Sequence, residues 1–153
     1  MVFPSWWSLP EKVGRTLPET HGIVPGLNAA IGPVIDRLLN RLKPGTAAER
    51  SHWGMAGTQK LNLHPALGWP RLRFGHEVDA IWLRIEHQIL ASLPRTGAIL
   101  FGIRLETFPL KDVLADKEAK LRFHRALTTM PGEMVAYKGL AEVWPTLQRL
   151  TTA

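Results

Sequence analysis

Cysteine is absent from all 153 residues, and that absence removes a large part of the available chemistry. No disulfide, thiolate nucleophile, cysteine-ligated zinc, thiolate haem or iron–sulfur cluster can be built from this chain. Any electron-transfer cluster must therefore sit on a partner. Long apolar runs are missing as well. The longest, Ala98 to Ile103, has six residues including Gly102, far below the roughly 20 needed to span a bilayer as a helix. A membrane partner is accordingly not expected. The start of the chain has no basic stretch followed by an uninterrupted apolar segment, because Pro4 and Pro10 punctuate it and Trp6-Trp7 are bulky. A cytoplasmic location is the expectation. Also missing are G-x-S-x-G, G-x-x-x-x-G-K-[ST], G-x-G-x-x-G and H-E-x-x-H, so the hydrolase, kinase, Rossmann and zincin readings lose their main support.

What is present describes one globular domain, residues 1–153, at 45% hydrophobic and 21% charged residues. The net charge of +6 comes from 19 Lys and Arg against 13 Asp and Glu. These basic residues are spread along the chain without a block of five or six, which argues against nucleic acid as a partner. Some of the arginines remain available for anionic groups such as cofactor carboxylates.

Three textures divide the chain. Met1 to Gly26 is rich in Pro, Gly and Trp and has no sustained period, the pattern of an irregular segment. From Leu27 to Leu42, Ile31, Val34, Ile35, Leu38, Leu39 and Leu42 fall at spacings of three and four, predicting an amphipathic helix that Pro44-Gly45 stops. The middle reads as strands. Residues 50–55 form a short candidate, and a connector with Pro65, Gly68, Pro70 and Gly75 follows. Residues 81–90 alternate with period two, although Ile81, Ile85 and Ile89 also suit a helix face. Leu93-Pro94-Arg95-Thr96-Gly97 supplies a turn, after which Ile99, Phe101, Ile103 and Leu105 alternate, so a hairpin is the simpler account. Beyond Pro109 the pattern is helical again, with a break at 130–132 and a last amphipathic segment at 140–150. Helix, strands, helices in that order predict an α+β fold with an antiparallel sheet.

Six histidines, at 21, 52, 64, 76, 87 and 124, are the conspicuous chemical resource, because imidazole is a common ligand for zinc, iron and haem. For each, a surface or hydrogen-bonded structural role is the commoner one. His76 and Asp79 could begin a two-histidine, one-carboxylate iron site, but nothing in the sequence places the third ligand. Arg84, Glu86 and Gln88 make a polar stripe along one strand face. It reads either as a solvated face with cross-strand ion pairs, which requires Arg104 to face Glu86, or as the wall of a site. Six tryptophans offer flat surfaces for a planar cofactor or a cationic amine, with core packing as the commoner use.

Several segments resemble the haem-dependent oxidative N-demethylase-like family. Phe3-Pro4-Ser5-Trp6-Trp7, Lys12-Val13-Gly14-Arg15 and Thr20-His21-Gly22-Ile23-Val24-Pro25 are similar to its F-P-S-x-W, K-x-G and I-H-x-P-V-P run. Residues 83–90 and 93–104 resemble its L-R-x-E-R-Q-T-L and L-P-R-[ST]-G-A-[IV]-x-F-x-I-R block, and Met130-Pro131 with Tyr137-Lys138-Gly139 its closing segment. Departures from the pattern include His87, which stands for the arginine after Glu86, and His52, which stands for the asparagine of R-x-N-W. The resemblance further implies a family domain with an additional N-terminal stretch, leaving this fold incomplete at its N-terminus with the Val2-Phe3 edge unpaired.

The resemblance implies a PAS-like antiparallel sheet flanked by helices that binds haem b and oxidises a small methylated amine with dioxygen to give formaldehyde. Flavin and an iron–sulfur cluster would reside on reductase subunits. It makes His21 the expected axial ligand, with His52 as the alternative. Arg84, Arg104 and Lys12 become candidates for the haem propionates, or for ordering the pocket through Glu86. A non-catalytic haem or small-ligand module, and an inactive fragment, are the competing readings, because fold does not fix function.

Overall fold

A computed structural model describes residues 4–73 and 75–152. The expected Val2-Phe3 edge lies outside them. The alternating runs form the predicted hairpin and belong to a three-stranded antiparallel sheet of order β1-β2-β3, with β1 at Ala47–Ala56, β2 at Trp82–Ser92 and β3 at Ile99–Pro109. The helical alternative for 81–90 is thereby set aside. The loop 94–97 ends on Gly97 at φ +67°, a conformation that glycine adopts without a Cβ penalty. There Leu93 N–H donates to Ala98 O at 2.8 Å and Gly97 N–H to Leu93 O at 2.9 Å. At the far end Leu110 N–H donates to Ile81 O at 2.8 Å. Equal numbers of residues separate these pairs on the two strands, so the register runs through without a bulge and sets His87 opposite Arg104.

Helices flank the strands in sequence. Two precede them, α1 at Leu17–His21 and α2 at Leu27–Arg41. Four follow, α3 at Leu110–Ala115, α4 at Lys117–Thr128, α5 at Gly132–Tyr137 and α6 at Trp144–Thr151. The fold class is α+β, as the order of textures predicts. Pro145 is tolerated in α6 because it occupies the first turn, where no intrahelical acceptor awaits its missing N–H. Asp116 caps α4 by accepting from Ala119 N–H at 2.7 Å.

The described chain forms two compact units. One comprises Met1–Val13, Gly54–Arg84 and Thr107–Ala153 and the other Gly14–Trp53 and Ile85–Glu106. Unit 1 owns the apolar core. Met55, Leu63, Leu72, Ile81, Leu110, Phe123, Leu127, Val135, Leu140, Val143 and Leu147 are all buried there. Unit 2 is built differently: among the described residues it buries no apolar side chain, and its buried positions are Gln88 and Ser92 on β2. Helix α2 follows suit. It has the predicted amphipathic pattern but no buried residue, and Ile31, Val34 and Leu38 remain exposed.

Candidate functional site

The residues that the sequence singles out divide between the two units. Lys12 and Arg84 belong to unit 1, whereas His21, His52, Glu86 and Arg104 belong to unit 2. Three of the six histidines are accounted for by structural hydrogen bonds in unit 1. His64 Nδ1 accepts from Ala66 N–H at 3.1 Å, His76 Nδ1 lies 2.9 Å from Arg73 O and 3.1 Å from its N, and His124 Nδ1 lies 3.1 Å from Thr151 Oγ1. Asp79 pairs with Lys111 Nζ at 3.2 Å. An iron triad starting from His76 and Asp79 is not assembled: among the described residues no cluster of three metal-ligating side chains occurs. The other three histidines, His21, His52 and His87, lie in unit 2.

His21 ends α1, and local sequence explains its placement. Thr16 and Glu19 form a capping box, in which Thr16 Oγ1 accepts from Glu19 N–H at 3.4 Å while Glu19 Oε2 accepts from Thr16 N–H at 2.6 Å and from Thr16 Oγ1 at 2.7 Å. These bonds from Thr16, side chain first and backbone second, hold the Glu19 carboxyl below its ordinary pKa. The chain then reverses through Gly26 at φ +66°, the residue that precedes α2, and Asn28 Nδ2 ties the two helices by donating to Pro18 O at 2.8 Å. Between them lies a cavity of about 250 Å³ lined by Leu17, Pro18, His21, Asn28, Gly32, Pro33, Ile35 and Asp36. Gly32 contributes room, since a Cβ there would meet no atom within 4 Å.

A haem asks the protein for one axial donor, apolar walls and polar contacts at its rim. The donor set fits the first two requirements, with one imidazole against Leu17, Pro18, Pro33 and Ile35. The size fits only in part. The volume lies just under the usual 300–1,000 Å³ of small-molecule sites, so the cavity receives part of a macrocycle without enclosing it. Among the described residues no Lys or Arg lines it, and Asp36 disfavours a propionate at that rim.

A second array lies on the sheet. Arg50 Nε donates to Gln88 Oε1 at 2.7 Å, Gln88 Nε2 donates to Glu86 Oε2 at 2.8 Å, and His52 Nδ1 lies 3.8 Å from the same Glu86 oxygen. His52 and Glu86 are thus brought together on one face. On the other face His87 Nε2 lies 3.0 Å from Glu106 Oε2, and Arg104 donates to Glu106 Oε1 at 2.7 Å. Because side chains alternate along a strand, Arg104 shares the face of His87 and not that of Glu86. The cross-strand pairing of Arg104 with Glu86 weighed for the solvated-face reading is therefore corrected by the register. The His87–Glu106 pair carries no signal in a one-dimensional reading; counting outward from the loop at 94–97 would have found it.

Arg84 is buried, at 2% exposure. Its guanidinium donates to Lys60 O at 2.8 Å, Leu61 O at 3.0 Å and Ser5 Oγ at 3.2 Å. Lys12 follows a single 3₁₀ turn at Leu9–Glu11 and donates its backbone N–H to Leu9 O. None of the six tryptophans reaches full burial. The Trp6 ring is covered by the Arg71 guanidinium at 3.9 Å from its centroid, and burial lowers the Arg71 pKa.

Comparison with protein families gives a match over residues 1–148 to the model described as haem-dependent oxidative N-demethylase, alpha subunit-like.

Proposed function

The chain belongs to the haem-dependent oxidative N-demethylase, alpha subunit-like family, and from that premise we propose that it is a haem-binding subunit acting on a small methylated amine. The observation that carries the reading is His21, an imidazole in the lining of a mainly apolar cavity. His21 would hold haem b through its imidazole, with His52 as the alternative ligand. Haem, once bound, supplies the activation of dioxygen. Leu17, Pro18 and Ile35 would give the ligand side apolar walls, and the Asn28 bond to Pro18 O ties α1 to α2 beside the imidazole. Dioxygen, two electrons and two protons convert the methylated amine to the demethylated amine, formaldehyde and water. The electrons come from reductase subunits bearing flavin and an iron–sulfur cluster, since this chain has no cysteine for a cluster of its own. A PAS-like arrangement of the sheet and a cytoplasmic location belong to the same proposal.

Titration with haem tests it. The expected result is a saturable Soret band whose maximum shifts and whose affinity falls in His21→Ala, with His52→Ala close to the parent protein. An unchanged spectrum and affinity in His21→Ala would remove the assignment. The small volume of the cavity favours one competing reading, a non-catalytic haem or small-ligand module. Formaldehyde release from dimethylamine with reductase and NADPH separates the two: it is expected for the demethylase and absent for the module.

A further inference from the structure

Strand β3 ends the sheet, and its register fixes which groups it turns outward. The pairs Leu93 with Ala98 and Ile81 with Leu110 are both hydrogen-bonded. Even-numbered residues of β3 therefore aim their backbone N–H and C=O at β2, while Phe101, Ile103, Leu105 and Thr107 aim theirs at the open edge. The strand is eleven residues long, and its one proline, Pro109, stands at its last position. Its side chains are apolar on both faces, with Leu100 53%, Phe101 45%, Ile103 37% and Phe108 42% exposed.

Edges of this kind are normally blunted by an internal proline, a bulge or charge of one sign. β3 carries instead two charges of opposite sign, Arg104 and Glu106, two residues apart on one face. A single sign would repel an identical strand. Opposite signs at this spacing are complementary to their own two-fold copy.

We infer that β3 is the seam of a homodimer, in which β3 of a second copy pairs antiparallel to it about a two-fold axis through Leu105. In that register Leu105 meets Leu105 of the second copy in a hydrogen-bonded pair, and Ile103 meets Thr107. Arg104 then stands across from the second copy's Glu106 twice over, in the non-hydrogen-bonded positions where side chains come closest. The neighbouring registers that also keep the outward groups paired bring Arg104 against Arg104 or Glu106 against Glu106, so charge selects this one. The +6 charge on each chain opposes association at long range, but salt at physiological strength screens beyond about 8 Å. The contact is isologous, so each β3 edge is used once and this seam closes at two copies.

The inference is independent of haem and is tested on the cofactor-free chain. Sedimentation and light scattering should give an apparent mass near twice that of one chain. Amide exchange at Phe101, Ile103, Leu105 and Thr107 should slow as protein concentration rises, while the β2-facing amides stay unchanged. Charge variants make the test specific. Glu106→Arg carries two positive residues along the seam and Arg104→Glu two negative ones, so each alone should be monomeric. Their equimolar mixture should dimerise. A monomeric parent chain, charge variants that dimerise alone as well as the parent does, or a mixture that stays monomeric would overturn the inference. If a variant fails to fold by circular dichroism, the concentration dependence of exchange in the parent chain decides alone.

Discussion

Arg84 donates to the Ser5 hydroxyl at 3.2 Å, linking residues 79 positions apart in the sequence. The same guanidinium holds the carbonyls of Lys60 and Leu61, so one buried cation joins the N-terminal segment, the connector after β1 and the central strand. Lysine cannot reproduce that fork, having a single ammonium point charge. Arg84→Lys should leave at least one buried acceptor unpaired and destabilise the protein by about 3 kcal/mol. Equilibrium urea unfolding measures this. If Arg84 served chiefly as a propionate contact, the variant would lose haem affinity at nearly parental stability; a lowered unfolding midpoint with an unchanged Soret maximum is expected instead.

The Thr16–Glu19 box gives α1 a pH dependence whose sign follows from the Glu19 carboxyl. Its pKa is lowered in the folded protein by the bonds from Thr16. The stabilisation is therefore fully present above the unfolded carboxyl pKa and is lost as pH falls through the lower, folded value. Below the ordinary carboxylate range α1 should fray, and with it the position of His21. Glu19→Gln should remove this step, since an amide does not titrate there. Chemical shifts of His21 and Gly22 followed from neutral to acid pH check the expectation; a midpoint that persists in Glu19→Gln would sink it.

Much of the fold is legible in the sequence because it is written in periods. Alternation at 81–90 and 99–105 predicts the hairpin, and the structure extends each strand by only a few residues. Strand β1 is harder to read at its beginning. Ala47, Ala48 and Glu49 are poor strand formers, and β1 starts at Ala47 because it pairs with β2. The amphipathic pattern of α2 locates the helix correctly but misleads about its surroundings: a stripe containing Ile31, Val34 and Leu38 implies a covered face, and all three are exposed. The site was legible only residue by residue. His21 could be named from its segment, yet its cavity depends on how α1 packs against α2, which no local pattern encodes. The separation of Arg104 from Glu86 depends on strand register, and one residue of register inverts every face.

Gly57 allows a close approach that a side chain would prevent. A Cβ at this position would lie 2.9 Å from His76 Nε2 and 3.4 Å from its Cδ2. The ring cannot swing away without loss, because its Nδ1 is tied to the Arg73 backbone. Gly57→Ala should therefore cost about 1–3 kcal/mol through overpacking. A thermal melt checks this, and a variant as stable as the parent protein would show that the His76 ring relaxes freely.

The two units should differ in how readily they open. Local unfolding free energy follows buried apolar contact, and the buried apolar side chains of the described chain all lie in unit 1. Amides of α4 and α6, which carry Phe123, Leu127 and Leu147, should exchange near the global limit. Amides of α1 and α2 should exchange much faster, since neither helix buries a residue. A ligand that binds only the ordered form stabilises that form in proportion to the logarithm of its concentration over its dissociation constant, about 2.7 kcal/mol at a hundredfold excess. Haem held by His21 should thus slow exchange selectively across residues 17–41, leaving α4 and α6 nearly as they were. Mass-spectrometric hydrogen exchange with and without haem resolves the difference. Protection appearing instead on β1 and β2 around His52 would move the axial ligand to that residue, and uniform rates in the free protein would refute the link between unit 2 and its missing apolar core.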